Sequence, residues 1–595
     1  MARFAHRLPF GATLEPDGTT RFRVWAPSMQ SVALEVAGEA APMRKEAGGW
    51  FAAERRAAAG TPYIFVLPDG MRVPDPASRA QSGDVHDPSL VVDPLAYDWQ
   101  HPDWRGRPWN EAVIYEVHAG LAGGFAGVRA MLPELAALGV TAVELMPVAD
   151  FPGARNWGYD GVLPFAPDAA YGTPDDLKRL VDAAHGLGLM MFLDVVYNHF
   201  GPDGAYMHVL ARPFFREDIK TPWGAAIDFR RPEVRRFFIE NARYWLHEYR
   251  FDGLRFDAVH AIEPQDFLED LAAAIRDSVP ADRHVHLVLE HGGNAAHHLR
   301  ASGAEAKFDA QWSDDWHHCV HVLLTGEHEG YYGDFQDATR LLARCLAEGF
   351  AYQGERSGFG GEPRGEPSAH LPSAAFVIAL QNHDQTGNRA FGERLVALAD
   401  PAALRAATVL LLLSPFVPLL LMGEEWGTRR PFLYFTSHND DLAKLVLEGR
   451  RDEFRHFSRF QDAATRARIP DPNAPETFAQ SRPDHADPAT HDFYRDLLHL
   501  RAARIAPAIP GCRSEGADVL GPGAVLARWR MGDGAMLSIA VNLCGQPAGV
   551  GTAPAGALLT APAGALLFES EAGADAGLAG GRLPPRCAVV RLAPA

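Results

Sequence analysis

Apolar and polar positions alternate with a period of two over the first hundred residues, in TRFRVWAP, SVALEV and YIFVL, with Gly and Pro between the runs. Alternation of this kind predicts short antiparallel strands with one dry and one wet face, hence a small β-sandwich over 1–100. After the Pro/Asp-rich MRVPDPASRAQSGDVHDPS the pattern changes. Unbroken apolar runs follow in the order AVIYEVH, TAVELMPV, LMMFLDVVYN, GLRFDAVH, VHLVLEHG, FDAQWSD, FVIALQNHD and VPLLLMGEEW, separated by amphipathic stretches such as VRAMLPELAALG, PDDLKRLVDAAHGLG and PEVRRFFIENARYWLHEYR. A strand without alternation is buried on both faces, which is the condition of a parallel strand covered by helices. Eight of them predict a closed (β/α)8 barrel over 101–507. An open doubly wound sheet is the weaker reading, because no GxGxxG follows any of the strands. Two excursions are long, 199–230 after the third strand and 350–372 before the seventh. Beyond a helix around ATHDFYRDLLHLRAARI, alternation returns in AVLARWRM, AMLSIAVNL and CAVVRLA, predicting a small all-β domain over 508–595. The expected fold class is therefore multidomain α/β: barrel, N-terminal sandwich and C-terminal β-domain. GTAPAGALLTAPAGALLFES reads as loops and short strands.

The apolar runs end in ionisable residues. Asp194 and Asn198-His199 close the third, Arg255 and Asp257 the fourth, Glu290 the fifth and His383-Asp384 the seventh. All fall at carboxyl ends of strands, the rim on which parallel barrels build active sites. A single acid there most often caps a helix or pairs with an arginine. Four acids, two histidines and one arginine on one rim repel too strongly for capping alone and point to chemistry. Paired carboxylates with a third suit glycoside cleavage: one attacks the anomeric carbon, one protonates the leaving oxygen, one stabilises an oxocarbenium-like transition state.

Composition narrows the partners. A net charge of -19 over 595 residues argues against nucleic acid or an anionic membrane surface. Five scattered cysteines give neither a disulfide framework nor zinc spacing, which suits a reducing cytoplasm. The N-terminus lacks the apolar run of a signal peptide. The most apolar stretch, AATVLLLLSPFVPLLLM, is broken by Pro415 and Pro418, and reads as a buried helix followed by a buried strand.

GLRFDAVHAI, LVLEHGGN, LQNHDQTGNR and LDVVYNHFGPDG resemble the four signature segments of the α-amylase superfamily of glycoside hydrolases, on strands four, five, seven and three. The resemblance narrows to one subfamily, maltooligosyltrehalose trehalohydrolase, through FPGARNWGYDGV, TPWGAAIDF, DDWHHCVHVLLTGEHEGYYGDF, GRRDEFRHF and DPNAPETFAQS, and covers nearly the whole chain. It implies that Asp257 is the nucleophile, Glu290 the general acid/base and Asp384 the transition-state stabiliser. It also implies that Arg255 orients Asp257, that His199 and His383 bind sugar hydroxyls, and that Tyr159 stacks on the sugar at the cleaved bond, with Asp160 a weaker candidate. The N-terminal sandwich would be an immunoglobulin-like accessory domain of glucan enzymes. The implied reaction is retaining hydrolysis of the α-1,4 bond next to the terminal trehalose of a maltooligosyltrehalose or related α-1,4-glucan, with no cofactor and no metal. Two alternatives stay open: a glycogen branching or debranching enzyme, and a catalytically inactive glucan-binding protein. Two stretches depart from the pattern, HAGLAGGFAG after strand one and EHGGN after the acid.

Some residues have blander readings. Of the close histidines His317, His318 and His321 in DDWHHCVH, His317 and His321, four apart on a helix, share a face with no obvious third ligand, and Asp315 and Trp316 beside them suit a sugar cleft as well as a core. Asn198, at a position that binds calcium in many α-amylases, more simply braces its loop. Among Trp157, Trp223, Trp316 and Trp426, Trp223 in the loop after strand three is the best sugar platform.

Overall fold

The computed structural model describes residues 2–221, 223–301, 306–550 and 562–595. Its centre is a closed, all-parallel barrel: β1 (Ile114–Val117), β2 (Ala142–Leu145), β3 (Met190–Val195), β4 (Gly253–Phe256), β5 (His286–Leu289), β6 (Ala310–Trp312), β7 (Phe376–Ala379) and β8 (Val417–Leu421), with β8 pairing back onto β1. These are the eight apolar runs of the sequence, in the same order. Helices α1 (Gly124–Leu138), α2 (Pro174–Gly186), α3 (Pro232–His247), α4 (Asp266–Ser278) and α5 (Asp314–Thr325) lie among the crossovers that make the parallel pairing possible. The run AATVLLLLSPFVPLLLM resolves into helix Pro401–Leu413 and strand β8. Among the described residues no helix is long and apolar enough to cross a membrane.

The strand period of two explains how the barrel delivers polar groups to one rim. Inward apolar residues form a dry layer that includes Ile114, Ala142, Phe192, Val288 and Trp312. Two residues further along each strand come Glu116, Glu144, Asp194, Glu290 and Asp314, so the same face that packs the core below presents acids above.

Before the barrel stand two antiparallel sheets, one built on Thr19–Trp25 and Trp50–Arg56, the other on Ala33–Val36 and Pro62–Val66. They join the barrel through buried charge as well as apolar contact. Arg79 donates to Glu248 Oε2 at 2.8 Å with both side chains out of solvent, and Phe10 packs on Phe165 and Phe237. The C-terminal sheet runs Arg513–Gly521, Ala524–Arg530, Met536–Asn542, Cys587–Ala593 and Ala565–Glu569, all antiparallel. Helix Pro401–Leu413 packs against it, and Trp529 meets Phe416 edge-on. The first and last of these strands were not legible as alternation. Residues 551–561 of the Ala/Pro/Gly tract lie outside the described residues, and the rest of it contains strand Ala565–Glu569. All five cysteines are free.

Both long excursions carry short hairpins. Phe215–Thr221 pairs with Gly224–Ile227 in the first, and Glu355–Arg356 with Pro363–Arg364 in the second. A further segment, 427–487, carries helix Asp440–Glu453 and short helical turns over the rim, and nothing in the sequence reading set it apart.

Candidate active site

Arg255 organises the site. It projects inward from β4, has no exposed surface, and lies over the Trp312 ring at 4.3 Å. One guanidinium nitrogen, Nη1, donates to Asp194 Oδ2 at 2.7 Å and to Asp257 Oδ1 at 2.8 Å, while Nη2 stands 2.7 Å from Glu290 Oε2. One cation thus holds three carboxylates from three adjacent strands together, which Coulomb repulsion would otherwise drive apart. Arg255→Met would leave those carboxylates buried and facing each other, and is expected to lower the midpoint of urea unfolding, read by fluorescence at constant pH.

Asp257 and Glu290 each follow the last residue of a strand and point into the barrel mouth. Asp257 Oδ2 accepts from Asn198 Nδ2 at 2.8 Å, and the same nitrogen holds the Asp257 carbonyl at 2.9 Å. Glu290 Oε2 also accepts the backbone N–H of Ala258 at 2.8 Å. Both carboxylates therefore stand within one guanidinium's reach, with their orientations set from opposite sides.

His383 and Asp384 do not end β7. Three residues separate them from the strand, and they open the short helix α6 (His383–Gly387), which Asn382 caps by accepting from Gln385 N at 3.1 Å. The turn lifts Asp384 into the cleft, where Asn388 Nδ2 donates to its Oδ1 at 3.2 Å. Burial raises the Asp384 carboxyl above the ordinary range, with the neighbouring His383 charge opposing that rise. Tyr159 donates to Asp194 Oδ2 at 2.6 Å, lies 2.8 Å from His383 Nε2, and stacks on the His383 ring at 5.1 Å between centroids. Burial pushes Asp194 up to about 7, against the pull of Arg255.

His199 stands on the other lip. Its Nδ1 pairs with Asn198 Oδ1, its Nε2 meets the Tyr159 carbonyl at 2.9 Å, and burial lowers its pKa. The Trp223 ring lies flat on the imidazole, 4.3 Å between centroids and 10° between planes, and remains 46 % exposed. All eight residues singled out from the sequence thus gather at the carboxyl end of the barrel.

Burial and contacts decide the readings that the sequence left open. Asp315 and Trp316 do not face a sugar cleft: both are fully buried, and Asp315 accepts from Asn294, Ala351 and Tyr352 and pairs with Arg364 at 2.8 Å. The acid on the rim is instead Asp314, which burial and Glu290 push up to about 7 and which accepts from Gln385 at 3.1 Å. Trp157 is buried with its indole N–H on the Leu433 carbonyl, and Trp426 stacks between His485 and His491. Asp160 braces Asn156 at 2.6 Å and Asn198 braces Asp257. His317, His318 and His321 are packed among Tyr331, Tyr332 and Phe335, and no cluster suited to a metal ion occurs among the described residues. The sequence reading missed Glu116 and Glu144, whose only signal was one acid inside each of two otherwise apolar strands.

A cavity of about 430 Å³ opens next to Asp384. Its lining includes Tyr331, Arg389 and Asn388, the last of which donates to Asp384, together with Phe454, Phe457 and Phe460. Glu327 fixes Arg389 through two bonds of 2.6 and 2.9 Å.

Two family models match the chain: "Alpha amylase, catalytic domain" over residues 87–213, and "Domain of unknown function (DUF3459)" over 512–590. The malto-oligosyltrehalose trehalohydrolase of Deinococcus radiodurans is 41 % identical over 513 residues, 83 % of each chain. That of Saccharolobus solfataricus is 40 % identical over 462 residues, 75 % of this chain and 80 % of the relative. A crystal structure from Salmonella typhimurium, described under alpha amylase, superposes with a TM-score of 0.91 at 44 % identity, covering 98 % of this chain and 99 % of that one.

Proposed function

The chain belongs to the malto-oligosyltrehalose trehalohydrolases, glycoside hydrolases of the α-amylase class, and from that premise we infer how its own residues divide the work. The branching, debranching and inactive-binder readings give way to it. The substrate is an α-1,4-glucan ending in trehalose, and the product is free trehalose.

Asp257 is the nucleophile. It attacks the anomeric carbon of the glucosyl unit joined to trehalose, while Glu290 donates its proton to the departing oxygen; water then enters, deprotonated by Glu290, and releases the glucan with retained configuration. The single observation that supports this division is the Arg255 clamp: one guanidinium gathers Asp257 and Glu290 at 2.8 and 2.7 Å, bringing together the two carboxyl groups that a retaining route uses. Asp384 faces the developing positive charge on the ring. Tyr159 offers an aromatic face to the sugar, and His383 and His199 bind its hydroxyls. Trp223 extends the sugar platform outward.

The cavity beside Asp384 is our candidate for the place where the trehalose end is told from plain glucan. Part of its lining comes from DDWHHCVHVLLTGEHEGYYGDF and GRRDEFRHF, segments that resemble the subfamily rather than the superfamily, while Asn388 and Arg389 belong to the superfamily segment LQNHDQTGNR. Its volume is within the range of small-ligand clefts. Phe457→Ala is expected to lower kcat/KM for maltotetraosyltrehalose about tenfold and to change that for maltohexaose much less, since lost apolar contact acts only on the unit seated there. Equal losses on both substrates would move the recognition site elsewhere.

We also read the chain as three units, 1–100, 101–507 and 508–595, working in the cytoplasm, with the first as an accessory domain of the glucan site.

A further inference from the structure

Glu116 is the only carboxylate of β1 and is buried, 1 % exposed. Both its oxygens are spent on one residue. Oε2 accepts the backbone N–H of His383 at 2.9 Å, and Oε1 lies 2.5 Å from His383 Nδ1. A carboxylate can only accept, so Nδ1 carries a proton. On the other side of the ring, Nε2 lies 2.8 Å from the Tyr159 hydroxyl. That hydroxyl donates to Asp194 Oδ2, which already accepts from Arg255, so its oxygen accepts from Nε2–H. Both ring nitrogens are therefore protonated, and the ring is an imidazolium with a fixed tilt.

We propose that Glu116 is a positioning residue of the reaction: it grips His383 by backbone and ring together, so that the charged Nε2–H stays between the Tyr159 hydroxyl and Asp384. The Nε2 atom lies 3.5 Å from Asp384 Oδ1. His383 opens the same short helix that carries Asp384, so the grip on its backbone also places that carboxylate. This role rests on the assignment of Asp384 above.

Every charged or titratable group around the ring fits this picture. Asp384 stands on its own helix, Glu116 on β1, Asp194 on β3 and Arg255 on β4, with Tyr159 reaching in from the loop after β2. Glu144 on β2 is raised well above the carboxylate range by burial, then by Glu116. His118, past the end of β1, is lowered to about 4 by burial and is neutral. Trp157 and Trp312 supply the apolar walls. Burial works against the His383 charge, but Asp384 and Glu116 overcome it and raise the ring to about 10. A raised histidine keeps its proton below that value and loses it as pH climbs through it. Removing the Glu116 charge moves the loss toward neutrality.

The experiment compares Glu116→Gln and Glu116→Asp with the wild type on maltotetraosyltrehalose from pH 5 to 9. Glutamine keeps the shape but not the charge. It is expected to reduce kcat about tenfold or more, the scale of one charge-assisted hydrogen bond, with a smaller change in KM. The alkaline limb of its kcat profile moves to lower pH than that of the wild type, because His383 now loses its proton inside the range. Aspartate, charged but shorter, loses activity while keeping the wild-type profile. A Glu116→Gln profile that superimposes on the wild type, with lost activity following lost thermal stability alone, overturns the proposal. Should Glu116→Gln not fold, 15N spectra of histidine-labelled wild type at pH 8 decide: one buried ring with both nitrogens protonated supports it, and a neutral His383 ring contradicts it.

Discussion

Asp257→Ala is expected to lose at least about 10⁴-fold in kcat on maltotetraosyltrehalose, the scale on which removal of a nucleophile acts when its partners are left in place. The fold should survive. The substitution takes one carboxylate out of a like-charged group of three, and Arg255 keeps Asp194 and Glu290 as partners at 2.7 Å each. Circular dichroism and the unfolding midpoint should therefore stay close to wild type while turnover disappears. Because the missing group forms a bond rather than transferring a proton, no change of leaving group should restore the rate. A variant that kept appreciable activity would take the nucleophile's role from Asp257.

Glu290→Gln should behave differently, and the contrast separates the two acids. An amide keeps the volume and can still face Arg255, but has no proton to give the departing oxygen. The expected loss on glucan is about 10²–10⁴-fold, the usual worth of a general acid. With α-glucosyl fluoride, whose leaving fluoride needs no proton, the first step should recover most of its rate, and a burst followed by slow turnover should mark the intermediate that now waits for its base. Equal losses on both substrates would mean that Glu290 acts by position or charge, not as an acid.

Much of this was legible in the sequence, for a physical reason. Strands buried on both faces cannot hide their apolar runs, so all eight barrel strands stood out, and the carboxyl ends of the fourth and fifth were marked by the ionisable residue after the run. Asp257 and Glu290 obey the period of two, counting up from Gly253 and Val288. Asp384 does not, because a capped helical turn carries it, and only the Asn-His-Asp sequence betrayed it. Glu116 and Glu144 were hidden by the same burial that makes them consequential: inside AVIYEVH and TAVELMPV a single acid reads as a break in an apolar run. Asp315 stayed open between cleft and core and Asp314 went unremarked, since one step along a helix turns a side chain by roughly 100° and nothing in the local sequence says which of two adjacent acids faces the cleft. The cavity beyond Asp384 depends on contacts between segments more than a hundred residues apart, Gly326–Tyr332 and Phe454–Phe460, and periodicity says nothing about such pairings.

The most direct measurement is product analysis after incubating the purified protein, separately, with maltotetraosyltrehalose and with maltohexaose. Trehalose and maltotetraose appearing rapidly from the first, with little action on the second, is the predicted result. Branched or lengthened products, or glucan cleavage without free trehalose, would contradict it.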